Sequence, residues 1–141
     1  MALIVNKVLA YVTRGDRLLV FRHRDFPEAG LQVPAGTIEE GESPQEAVLR
    51  EVYEESGLQD VRIVRFLGQY FHNMAPYRDE IHHRHVFHLE ASGPLATTWL
   101  HHESHPSDGG PPIAFSFFWM RLDDTELSLA GGQGDLLDKL L

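Results

Sequence analysis

The hydrophobic and polar positions change period several times along the chain, and each change marks an element. Val5 to Val12 is a mixed apolar run that predicts a strand, Gly15-Asp16 supplies a turn, and Arg17 to His23 (RLLVFRH) reads as the hairpin partner. After a loop from Asp25 to Gly30, Leu31, Val33 and Ala35 alternate in a short strand predicted to stop before Gly36. A loop rich in glycine and glutamate follows as far as Glu42. Ser43, Pro44 and Glu46 then spell a helix start: an N-cap, a proline at the first helical position and the second half of a capping box. Gly57 is the matching stop. Val61 to His72 resumes strand character with Gly68 as a candidate bulge, and Ile81 to Ala91 (IHHRHVFHLEA) alternates as another strand. Ser92 to Pro112 is polar and rich in Pro, Gly and His, which predicts a long loop of the kind that often carries function. Ile113 to Leu122 reads as a buried aromatic strand, and Gly131-Gly132 precedes a short predicted helix from Asp135 to Leu141. Strands, a helix, strands and a helix make an α+β domain, layered as an α/β/α sandwich with a mixed sheet. No repeat or linker divides the pattern, so a single domain over residues 1–141 is expected.

The helix from Ser43 to Gly57 has two unlike faces. At about 100° per residue, with Glu51 at zero, Glu55 falls near +40°, Ala47 near −40° and Glu54 near −60°. Val48, Val52, Ser56 and Leu49 span roughly 60° to 160°, an apolar face for the sheet. The adjoining face carries three carboxylates around a small alanine. Like charges three and four apart weaken a helix. One reading is a solvated acidic face. The other is a divalent cation, because clustered carboxylate oxygens are the hard donors that Mg²⁺ or Mn²⁺ takes. The second is favoured because Arg50 is the one cation close on that face, and surface helices usually intersperse Lys and Arg. The glycine-flanked loop can bring backbone carbonyls, notably that of Gly36, to the same ion, and Glu42 can pair with Arg50. Metal held this way binds phosphate oxygens and activates water, which suggests hydrolysis of a phosphoanhydride.

Composition narrows the setting. Of 141 residues, 43% are hydrophobic, enough for a core, and there is no cysteine for a disulfide or thiolate site. A cytoplasmic location is expected: Lys7 interrupts the N-terminal apolar stretch, so a signal peptide is not, and no apolar run reaches membrane-spanning length. The formal charge of −9 argues against nonspecific nucleic-acid binding, so the expected partner is a small nucleotide derivative, with no nucleic acid and no membrane. A monomer or homodimer is expected.

The segment GTIEEGESPQEAVLREVYEESGL, from Gly36 to Leu58, resembles the signature of the Nudix hydrolases. Gly36, Glu42, Arg50-Glu51-Val52, Glu54-Glu55 and Gly57-Leu58 match every defined position at the family's spacing. The resemblance implies a loop-helix-loop on an α/β/α sandwich and metal-assisted attack of water on a nucleoside diphosphate linked to another moiety. It makes Glu51, Glu54 and Glu55 metal ligands, with Glu51 also a candidate general base. Arg50 would orient Glu51 and Glu54, and Gly36 would lend its carbonyl to a metal. Members often add a glutamate from outside the signature; Glu103 is preferred to Asp108 for its reach, against an ordinary surface role. Pro-Ala-Gly before the signature is similar to ADP-sugar pyrophosphatases. Their later proline is displaced, with Met74 at its place and Pro76 two further on, so no substrate is assigned. A non-catalytic nucleotide-binding module and an enzyme trimming RNA 5′ ends stand as alternatives.

Substrate contacts are less constrained. Arg22 and Arg24 end a strand and suit either phosphate or surface acids. His82, His83, His85 and His88 crowd one strand, where alternation groups His82, Arg84 and His88 on one side. A zinc site, a substrate-lining face with Arg84 on phosphate, and a plain half-exposed strand all fit that pattern. His101, His102 and His105 sit in the predicted loop. Tyr70, Phe71, Tyr77, Trp99 and Phe115 suit either a nucleobase or the core.

Overall fold

A computed structural model of the chain describes residues 2–103 and 110–140. Its strands are β1 (Leu3–Arg14), β2 (Arg17–His23), β3 (Ala35–Thr37), β4 (Val61–Asn73), β5 (Glu80–Ala91), β6 (Thr98–Glu103) and β7 (Ile113–Arg121), with helix α1 at Pro44–Ser56. They form one mixed sheet in the order β4-β5-β1-β2-β7-β6, with β3 paired to β1. The β1–β5 pair is parallel and runs from Leu3 opposite Glu80 to Thr13 opposite Glu90.

The site owes its place to a split in this sheet. β1 and β2 pair only beside their turn, at Thr13 with Leu18 and Arg14 with Arg17. β2 then follows β7, leaving a gap that residues 31–37 fill. Gln32 bridges to Phe21, the Pro34 carbonyl accepts from Ala10 N–H at 2.9 Å, and β3 pairs with Lys7 to Leu9.

α1 covers one face. Its Ala47, Val48 and Val52 pack on Val8, Ala10, Val12, Phe21, Phe87 and Phe117. Val48 and Val52 are fully buried, each contributing about 1.5–3 kcal/mol relative to exposure. The other face of β1, Leu9 and Tyr11, packs with Leu18, Val20 and Val86 under the C-terminal segment, including Leu129, Leu136 and Leu140. The result is the expected α+β layering.

Four local readings change. β3 lies at Ala35–Thr37 and takes in Gly36, sharing only Ala35 with the predicted Leu31–Ala35; residues 31 and 32 form isolated bridges, and Pro34 has no N–H to continue a ladder. The predicted loop from Ser92 contains β6, whose alternating burial and mixed composition hid it; its Trp99 stacks on Phe117 with centroids 5.3 Å apart. The terminal helix is a single 3-10 turn, Leu137–Leu140, too short to repay α-helix nucleation. Leu49, assigned to the apolar face, is 38% exposed, whereas Ala47 is fully buried. The buried arc of α1 is therefore rotated and takes in Glu51 and Glu55. The bulge at Gly68 is present, with a register shift between Phe66 and Gly68.

Candidate active site

The helix start fixes the rotation of α1. Ser43 Oγ accepts from Glu46 N–H at 3.1 Å, and Glu46 Oε1 accepts from Ser43 N–H at 3.0 Å. Gly57, with φ of 80°, closes the other end in the left-handed region. Between these caps Glu51 and Glu55 point inward and are 8% and 6% exposed.

Gly36 lies directly beneath Glu51: a Cβ at this position would overlap the Glu51 Cδ and both carboxylate oxygens. Glu55 Oε1 accepts the Ala35 N–H at 2.7 Å, so the helix holds the start of β3 through a buried carboxylate. Arg50 ties loop, strand and helix together. Its Nε and Nη2 donate to the two oxygens of Glu42 at 2.7 and 2.9 Å, and Nη2 also donates to the Thr37 carbonyl at 2.9 Å. Its Nη1 donates to Glu51 at 2.7 Å and to Glu54 at 3.2 Å.

This guanidinium does not balance the cluster. It holds the Glu42 carboxyl down at about 2 through direct hydrogen bonds. Burial pushes Glu51 up to about 7, with the charges of Glu54 and Glu103 adding and Arg50 opposing. Glu55 is raised well above the carboxylate range by burial and by Glu51, Glu103 and Glu54, against the single Ala35 hydrogen bond. Glu103, placed by β6 rather than by a loop, thus lies within electrostatic reach of both buried acids. Asp108 and His105 lie outside the described residues.

Two clefts flank the cluster. One, of about 610 Å³, is lined by Tyr53, Glu54, His101, His102 and Glu103. There His101 Nε2 lies 2.9 Å from the Glu54 carbonyl, and Trp99 Nε1 donates to the Ser56 carbonyl at 2.8 Å. The other, of about 260 Å³, is lined by Lys7, Gly36, Arg78, His82, Arg84 and Gln133. Arg84 therefore shares a cleft with Gly36, as does His82. Lys7 escaped the sequence reading because the parallel β1–β5 pairing, invisible in sequence, sets it opposite Arg84, and Arg78 because it lies in the β4–β5 connection, where its N–H donates to the Met74 carbonyl at 3.2 Å; the charge of Lys7 within an apolar strand was the available signal.

Arg22 and Arg24 line neither cleft. The Arg22 guanidinium lies 5.4 Å from the centre of the Phe118 ring, and Arg24 pairs with Asp25 at 3.3 Å. Both therefore stand apart from the two clefts beside the acidic cluster. His83 contacts Asn6 and Gln69 and stacks on Phe71 at 4.4 Å. Among the described residues no three His, Asp or Glu side chains form a closed metal-ligand set, in the histidine strand or on α1. On α1 the cause is visible: Arg50 bridges Glu51 and Glu54, and Glu55 is turned toward Ala35. The donors themselves, buried carboxylates with a surplus of negative charge, suit a hard divalent cation. Of the aromatic candidates, Phe115 is core at 3% exposure, whereas Phe71 is 63% and Tyr77 88% exposed.

The NUDIX domain profile matches residues 4–140. The chain belongs to the Nudix family. Nudix hydrolases generally use divalent metal ions, in agreement with the donor chemistry above. An RNA pyrophosphohydrolase of Gluconobacter oxydans (strain 621H) is 44% identical over 59 residues, 42% of this chain and 35% of that protein. A protein of Pseudomonas aeruginosa (strain LESB58) named NAD-capped RNA hydrolase NudC is 32% identical over 105 residues, 62% of this chain and 37% of that protein. The chain thus matches little more than a third of the length of these relatives. The crystal structure of a MutT NUDIX hydrolase from Burkholderia pseudomallei superposes with a TM-score of 0.69, at 22% identity, over 98% of each chain. It shares the fold.

Proposed function

We propose that residues 1–141 form a single Nudix domain that hydrolyses a phosphoanhydride in a nucleoside diphosphate linked to another moiety, with Mg²⁺ or Mn²⁺ held by Glu51, Glu54, Glu55 and the Gly36 carbonyl. The observation that carries this is the pair of buried carboxylates, Glu51 and Glu55, raised by burial and by neighbouring acids although Arg50 contacts Glu51 directly. Buried charge of this kind is costly unless a cation compensates it.

A bound divalent ion would supply charge neutralisation on the phosphates and a more acidic water. The chain's own residues do the rest. Glu51 sits over Gly36 in the acidic cluster, so it is placed to accept a proton from the attacking water. Arg50 fixes the Glu51 carboxylate in orientation and joins it to the signature loop through Glu42. Glu55 holds β3, and hence Gly36, at a set distance from the helix. Glu54 is half exposed at the cleft shared with Glu103, which completes the acidic rim.

An RNA 5′ end is the second reading. The acidic composition led to an expectation of no nucleic-acid partner, but relatives named for RNA substrates do not support carrying that expectation forward. A non-catalytic module is disfavoured by the complete acidic set. A cytoplasmic setting fits the lack of cysteine, and no helix among the described residues is long and apolar enough to cross a membrane.

The test is phosphate release from nucleotide sugars, dinucleoside polyphosphates, nucleoside triphosphates and 5′-triphosphorylated RNA, with Mg²⁺ and Mn²⁺ compared. Glu54→Gln and Glu55→Gln should each lower turnover by about a hundredfold or more while the fold survives. Full activity in either variant would overturn the assigned roles.

A further inference from the structure

Arg84 is 5% exposed, and no carboxylate among the described residues lies within ion-pair distance of it. Its Nη1 donates to the Gly131 carbonyl at 2.7 Å and to the Tyr70 hydroxyl at 3.3 Å, and its guanidinium lies 5.8 Å from the centre of the Tyr70 ring. All these partners are neutral. Nε and Nη2 make no hydrogen bond among the described residues, yet no fully buried side-chain nitrogen or oxygen there lacks a partner. The small exposed area of Arg84 must therefore include those nitrogens, and the surface it reaches is the 260 Å³ cleft beside Gly36. Lys7 and Arg78 line the same cleft, and none of its described lining residues is an acid. Lys7 Nζ donates to Thr37 Oγ1 at 2.7 Å, next to Gly36; burial and the charges of Arg78 and Arg84 lower its pKa, against the carboxylates of Glu80, which also contacts His82, and Glu51. The cleft thus concentrates three cations in a chain of net charge −9 and adjoins the acidic cluster at the main chain of β3. A buried guanidinium with a free fork is costly until an anion with paired oxygens meets it, and phosphate has that geometry.

We propose that this cleft is a phosphate subsite, with Arg84 as its fork and Lys7 and Arg78 as its charged rim, for a phosphate of the substrate other than the anhydride that is cleaved. The inference rests on the hydrolase reading and narrows it. Arg84 pairs across β5 and β1 with Lys7, which pairs with Thr37 of β3, so the main chain at Arg84 lies two strand spacings, roughly 10 Å, from the strand under Glu51, and its side chain reaches the cleft that Gly36 also lines. The substrate class is then a nucleotide derivative whose remaining part itself carries phosphate. A nucleotide diphosphate attached to an uncharged sugar leaves the subsite empty. A dinucleoside polyphosphate and a 5′-triphosphorylated oligonucleotide both present the required group, on the polyphosphate chain and on the first phosphodiester respectively.

The test separates binding from catalysis. Inorganic phosphate and AMP are titrated into the whole protein by calorimetry in EDTA, where neither metal nor turnover is involved. Both should bind, more weakly as salt rises, and Arg84→Met should weaken them at least tenfold. Arg78→Gln, at an exposed turn position, covers the case in which Arg84→Met does not fold; it should weaken both at least threefold. Absence of phosphate binding to the wild-type protein, or unchanged binding in the folded variants, overturns the proposal. In turnover assays, Arg78→Gln should raise KM for phosphate-bearing substrates at least fivefold more than for a nucleotide sugar. The better of the dinucleoside polyphosphate and the triphosphorylated dinucleotide identifies the source of the phosphate, and equal loss on all three substrates overturns the proposal. Phosphate binding without any hydrolysis would refute the catalytic reading and leave the subsite standing.

Discussion

Gly36→Ala tests how the site is built. The backbone at Gly36 does not have positive φ, so alanine meets no conformational strain there, and the change by itself favours folding by about 0.4–1 kcal/mol through the unfolded state. The new methyl, however, occupies the space of the Glu51 carboxylate. Glu51 is the end of a flexible side chain, so the helix need not move; the carboxylate must swing away. That breaks its 2.7 Å bond to Arg50, a charge-assisted contact of about 1.5–3 kcal/mol, part of which returns as Glu51 regains solvent. The net cost is about 1–2 kcal/mol, a fall of a few degrees in Tm. Turnover should fall much further, by about a hundredfold or more, because displacement of a catalytic group by an ångström has that effect. Thermal melts in EDTA give the first quantity; Mn²⁺ calorimetry and phosphate release give the others. Gly134→Ala is the control, since its Cβ would meet only Leu129 at an ordinary 3.7 Å. Turnover within threefold of wild type for Gly36→Ala would refute the placement of Glu51 over Gly36. So would global unfolding, which would show that the helix cannot absorb the methyl by moving one side chain.

Two further outcomes follow from the same geometry. Arg50→Lys keeps the charge but loses the fork that grips both oxygens of Glu42, so turnover should fall at least about tenfold and stability by about 1–2 kcal/mol, read from kinetics and urea melts. Stability of the metal-free protein should depend on pH through Glu51. Its pKa rises on folding from 4.5 to about 7, so the fold retains a proton that the unfolded chain has released between those values. The resulting contribution is full below pH 4.5 and declines as pH rises toward 7, by about 3 kcal/mol in all. Burial lowers His82, His85 and His88, which work in the opposite direction, so the quantity to measure is wild type minus Glu51→Gln. That difference should turn against the wild type between pH 5 and 7.5 in EDTA and diminish with Mn²⁺. A flat difference would mean that Glu51 is not buried as described.

What could be read along the chain was what local rules control. The caps Ser43, Glu46 and Gly57, the hairpin at Gly15-Asp16, the Gly68 bulge and the strands flanking them are set by residues a few positions apart. The signature was legible for the same reason, since its carboxylates and Arg50 lie on one helix and its preceding loop. β6 was missed because an edge strand with a mixed sequence looks like loop until Phe117 and α1 provide something for Trp99 to pack on.

The sequence by itself determined that an acidic helix follows a glycine loop and that Arg50 stands ready to bind both, because these groups are joined by short covalent paths. Only the tertiary structure decided which carboxylates are buried and what lies beneath them. The split between β1 and β2 admits residues 31–37, sets Gly36 under Glu51, and brings Ala35 to Glu55. It also decided that Arg84, rather than Arg22 or Arg24, faces the cleft beside Gly36, since parallel pairing of β1 and β5 joins residues more than seventy positions apart, which no local pattern can encode.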